Sequence, residues 1–188
     1  MKSFVCSAFS PLPVFKPLRG FPPVLECSAF TEPASGGTPQ ADPKPMLDLY
    51  GSADNGTKPV RSFGLPLIGS GETVKLLPKS SDGQGSIDAF SIRITNVPVA
   101  TRFVLTDNAQ GNTGDGDGWI KLETTRALSV LEEIGLDKLV SYNGNYLTNQ
   151  APNGTAASRG FRVTDVSTKP IAQGSLSCIE VTASAGSK

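Results

Sequence analysis

Nine of the fifteen prolines in this chain fall within its first 45 residues, at positions 11, 13, 17, 22, 23, 33, 39, 43 and 45. Each fixes φ and removes an N–H donor, so this stretch forms neither a helix nor a central strand and is expected to be extended or polyproline-like. Phe4, Phe9, Phe15, Phe21 and Phe30 are interleaved with the prolines. Disordered tails are poor in aromatic residues, whereas this one is not. A backbone that cannot fold around its own side chains must bury them on its own domain or on a neighbour. The tetrapeptide Cys-Ser-Ala-Phe occurs at Cys6–Phe9 and again at Cys27–Phe30, which reads as two similar docking points. The chain therefore divides into an extended N-terminal arm, residues 1–45, and a β-rich globular domain, residues 46–188. A targeting segment is the alternative for residues 1–30, since Lys2, Lys16 and Arg19 precede the first acid, Glu26. The early prolines break any apolar signal core, so the segment is read as a retained arm.

Beyond the arm the pattern is that of strands. Runs at Met46–Tyr50, Pro59–Leu67, Glu72–Leu77, Ile87–Val97, Thr101–Thr106, Trp119–Glu123, Phe161–Val166 and Leu176–Ala183 are separated by turn chemistry such as Asn143-Gly144 and Asn153-Gly154. The clearest alternation sets Phe90, Ile92 and Ile94 against Ser91, Arg93 and Thr95. Ile179, Val181 and Ala183 alternate in the same way with Glu180 and Thr182. About eight short strands at this spacing predict a mainly β fold: a β-sandwich, jelly roll or barrel. One short helix is expected where Ala127, Val130, Leu131 and Ile134 follow helical spacing, capped by Thr124 or Thr125 and stopped by Gly135 in a left-handed conformation. Glu132 and Glu133 would then lie on its solvated face.

Composition removes whole classes of chemistry. There is no histidine, which excludes Ser–His–Asp and Cys–His nucleophile activation and every imidazole metal site. Three cysteines fall short of a four-thiolate zinc site. The 17 basic and 17 acidic residues cancel, which argues against binding nucleic acid by phosphate neutralisation. No apolar stretch approaches the roughly 18 residues of a membrane span. No cofactor, metal, nucleic-acid partner or membrane contact is therefore expected. An odd set of thiols points to synthesis in a reducing cytoplasm, a secreted or plastid location being the alternative. Cys178, inside a predicted strand, reads as a small core hydrophobe.

One loop, residues 107–118, concentrates oxygen ligands and glycine. Asp115, Asp117 and Gly118 resemble the spacing of a calcium loop. With Gly118 at loop position six, however, positions one and twelve are Thr113 and Thr124 rather than Asp and Glu. The loop is read as a hairpin connection, with an irregular calcium site as the alternative. Trp119, the only tryptophan, is either a core strand anchor or a stacking platform. The candidate ligand residues are thus Asp107, Asp115, Asp117 and Trp119. A carboxylate enzyme would require a concave pocket holding two convergent acids.

A charge-neutral, histidine-free β domain behind a Pro/Phe arm reads as a non-enzymatic structural protein. Its arm would dock through Phe4, Phe9, Phe15, Phe21 and Phe30 onto other protein subunits, copies of itself included. Each fully buried side chain would contribute about 1.5–3 kcal/mol, multiplied by symmetry. By analogy of architecture the assembly is a virion and the chain a minor capsid, decoration or tail component. The alternative is a β-sandwich binding module for carbohydrate that uses Trp119 and the 107–118 loop.

Overall fold

The computed structural model describes residues 43–51, 58–66, 70–79 and 87–185. Phe4, Phe9, Phe15, Phe21, Phe30, Cys6 and Cys27 lie outside the described residues. Among the described residues nine strands are formed: β1 (Met46–Tyr50), β2 (Arg61–Gly64), β3 (Thr73–Leu76), β4 (Ser91–Val97), β5 (Arg102–Thr106), β6 (Trp119–Thr124), β7 (Ser129–Gly135), β8 (Phe161–Val166) and β9 (Cys178–Thr182). Among the described residues, a single short helix, α1 (Leu136–Leu139), runs into a 3₁₀ turn at Val140–Tyr142. Every strand pairing is antiparallel, in a first sheet of order β2-β1-β4-β7 and a second of order β3-β9-β5-β6-β8.

Alternation explains why the two sheets meet. In a strand, successive side chains point to opposite faces. Leu47, Leu49, Ile92 and Ile94 of the first sheet share one buried cluster with Phe103, Leu105, Ile120, Leu122, Ile179 and Val181 of the second. The Phe103 and Phe161 rings meet at 5.8 Å between centroids, tilted by 45°. The arrangement is sandwich-like and not a closed barrel, because each sheet keeps its own edge strands. Two of those edges are covered by local chain. Gly144 and Val163 exchange backbone bonds with Val163 and Asn145 along β8, and Val130 of β7 pairs with Arg159. Such cover protects edge strands from pairing with other chains. At the other end of the domain, the Pro45 carbonyl accepts a hydrogen bond from the Leu65 amide at 3.0 Å. Among the described residues, no helix is long and apolar enough to cross a membrane.

The expected helix at 127–134 is not formed: its residues build β7, the ninth strand. The cause is a pair of bulges. Between Ile92 and Ile94 of β4, the partner strand advances from Ile134 to Leu131, one residue more than a regular ladder allows. Between Ile94 and Val97 the extra residue lies on β4, at Asn96 with φ 59°. A bulge in a strand turns a spacing of two into three, so Leu131 and Ile134 both face the core at what looks like helical spacing. Gly135 is extended at φ −62°, ψ 138° and precedes α1 instead of ending a helix. Thr124 is not a helix cap either; its hydroxyl accepts from the Thr101 amide at 2.8 Å.

Candidate functional site

The loop and tryptophan singled out by sequence lie at one end of the second sheet's outer face. On β6, Ile120 and Leu122 point inward, while Trp119, Lys121 and Glu123 point outward. Cross-strand register then lines up opposite charges. Lys75 meets Glu180 at 3.5 Å, Arg102 meets Glu123 at 3.9 Å and Lys121 meets Asp165 at 3.3 Å. Pairs this exposed contribute under about 1 kcal/mol each; their effect is a face of mixed charge. Trp119 is half-buried on this face and is not a core anchor. The Lys121 ammonium sits 4.4 Å from its ring centroid, so one side of the ring already carries a cation.

The 107–118 loop is held by its own carboxylates. Asp107 accepts from the Gly118 amide at 2.8 Å and pairs with Lys169 at 3.0 Å. Lys169 also donates to the Gly116 carbonyl at 2.9 Å. Both Asp117 oxygens accept from the Asn108 side-chain amide, at 3.3 and 3.2 Å, and Asp115 is exposed. Asp107 and Asp117 are thus engaged by protein donors. Among the described residues, no three His, Cys, Asp or Glu side chains gather as a metal-ligand set.

The loop also explains Cys178. The residue is fully buried yet absent from the core cluster. It pairs with Thr106 on the outer side of the second sheet, and a Cβ on Gly111 would lie 3.4 Å from its sulfur. Cys178 is therefore covered by the loop and is not packed between the sheets. Burial pushes its thiol above the ordinary value, Lys75 opposing and Glu180 adding to the rise. In a chain carrying Cys6→Ser and Cys27→Ser, labelling of Cys178 is expected to be slow at neutral pH and to accelerate only at alkaline pH or when the loop is unlatched by Asp107→Ala. Fast labelling of Cys178 in that variant at neutral pH would contradict this arrangement.

A second candidate site, not anticipated from the sequence, occupies the outer face of the first sheet. Two grooves of about 490 and 550 Å³ adjoin there, sharing Glu133 and Pro152. The bulge in β7 brings Glu132 and Glu133 to the same outer face, where a regular strand would separate them. Glu132, only 8% exposed, pairs with Arg93 at 3.5 Å. Glu133 accepts a hydrogen bond from the Ser91 hydroxyl at 2.7 Å. Tyr50, 5% exposed, completes the floor. Burial raises its phenol above the ordinary value, against a hydrogen bond from Arg93 that lowers it. The wall is the 149–158 segment, tied down by Asn149, which donates to the Glu132 and Glu133 carbonyls at 3.2 and 3.3 Å, and by Ser158, which accepts from the Glu132 amide at 2.9 Å.

No protein-family model, curated protein or solved structure matches this chain. The reading of its function rests on the residues themselves. Glu132 and Glu133, placed by periodicity on a solvated helix face, instead line a groove, and Glu132 is buried. The signal for that site was the adjacency of two acids inside an apolar run, which no regular strand would bring to one face.

Proposed function

We propose that this chain is a non-enzymatic structural protein whose Pro/Phe arm docks onto other subunits, copies of itself included, in a larger symmetric assembly. The observation that carries the reading is the contrast between the two parts of the sequence. The described residues supply two sheets that bury one another's inner faces, so the domain has a core of its own. The arm has five phenylalanines on a proline-rich backbone and no means of building one. Both outer faces of the domain carry acids already engaged by neighbouring side chains, as in Glu132 with Arg93 and Asp107 with Lys169. A virion is the kind of symmetric assembly meant, by analogy with the double-sheet jelly rolls that serve in capsids.

The test replaces Phe4, Phe9, Phe15, Phe21 and Phe30 together by Ser in the full chain. Self-association is expected to disappear while the far-UV circular dichroism of the domain is unchanged. Undiminished association of this variant would remove the arm from the account. The carbohydrate alternative built on Trp119 has one observation for it, the outward position of the ring. On that reading, Trp119→Ala abolishes binding on a glycan array.

A further inference from the structure

We infer that the trough on the outer face of the first sheet is a binding site for a neutral oligosaccharide, with Glu133 at its centre. Three independent features of the trough point the same way. The first is the bulge. Bulges interrupt a ladder and recur where a side chain is re-aimed toward a site; this one turns Glu133 outward beside Glu132, at the junction of both grooves.

The second is the balance of charge. Among the described residues, the lining holds Lys58, Arg93 and Lys138 against Glu132, Glu133 and Asp137, whose formal charges cancel. A strongly charged ligand gains no net Coulomb attraction from such walls. A ligand made of hydroxyl groups, each both donor and acceptor, meets carboxylates, a guanidinium and carboxamides that accept and donate in turn. Half-buried Tyr142 and exposed Pro152 add apolar surface for the C–H face of a sugar ring.

The third is preorganisation. Ser91 fixes Glu133, Arg93 pairs with Glu132, and Asn149 and Ser158 hold the wall. Groups set before binding do not charge their ordering entropy to the complex. The same contacts disfavour an extended peptide at this place: the free edge of β7 that strand addition would use is taken by Arg159 through Val130 and by Ser158 through the Glu132 amide.

The inference stands apart from the arm reading and is tested separately. The full chain, labelled with ¹⁵N, is titrated with malto-, cello- and chito-oligosaccharides up to about 10 mM, a range that reaches millimolar affinity. Amide shifts are expected at Tyr50, Glu133 and Asn149. Glu133→Ala should weaken binding at least tenfold, about 1.4 kcal/mol, with Glu133→Gln as the variant that keeps the side-chain volume and one acceptor oxygen and loses less. Trp119→Ala should leave the affinity unchanged. Shifts centred on Trp119, or no shift in the trough with any of the three series, would overturn the assignment; the oligomeric state of the chain reports on the arm and is indifferent to either result.

Discussion

Gly160→Ala is expected to lower the unfolding free energy of the domain by about 3 kcal/mol, far more than one methyl group ordinarily costs. Gly160 has φ +77° and a Cβ there would overlap Arg126 Cγ and Ser129 Oγ. Two costs therefore add: about 1–2 kcal/mol for an L-residue in the left-handed region and about 1–3 kcal/mol for overpacking. The position is a junction. The Gly160 carbonyl accepts from the Thr125 amide at 2.8 Å and from the Ser129 hydroxyl at 3.2 Å, joining the turn before β7 to the start of β8. Gly144→Ala is the control, because its φ is +75° and a Cβ there meets nothing within 4 Å. Chemical denaturation should separate the two variants by more than 1 kcal/mol; equal losses would show that no close approach exists at Gly160.

Phe103→Ala should cost about 3–5 kcal/mol, a large part of the roughly 5–15 kcal/mol that holds a domain folded. Phe103 is fully buried on β5 and its ring meets that of Phe161 at a tilt, so its removal leaves a void beside its neighbours in the second sheet. Trp119→Ala removes a larger side chain but should cost clearly less, since the ring is half-buried on the outer face. A midpoint shift for Trp119→Ala as large as that for Phe103→Ala would place the tryptophan in the core and contradict the assigned register of β6. A pH dependence accompanies these changes. Tyr50 and Cys178 both have raised values, so each favours its protonated form when folded. Their contribution is whole below the unfolded-state values and is lost as pH rises through the folded-state ones, so stability should decline on the alkaline side and not between pH 5 and 8 from these groups.

Much of the fold was legible because strand alternation is a local signal. Ile92 and Ile94, or Ile179 and Val181, face the core in the order that their spacing predicts. The edges of the predicted strands ran long, as at Ile87–Val97 against Ser91–Val97, since apolar residues continue past the last ladder bond. The failure at 127–134 has a definite origin. Two bulges restore the core register of Leu131 and Ile134 only through pairing with β4, and a long-range partner leaves no trace in a window of eight residues. The same event hid the trough, because Glu132 and Glu133 share a face only when the bulge is present. Cys178 is buried in a strand as the sequence predicts, and only what covers it was not legible. Its burial comes from a loop folding back over an outer face, whereas alternation within β9 reports only which side of the sheet it occupies.

The central question is whether the proline-bound phenylalanines bind other subunits. Sedimentation of the full chain beside a chain of residues 43–188 measures this directly, the cut preserving the Lys44 and Pro45 carbonyls that bond Asn96 and Leu65. The full chain is predicted to sediment as an oligomer and the shortened one as a folded monomer with the same β-rich circular dichroism. Equal association states for the two, whether both monomeric or both oligomeric, would contradict the account.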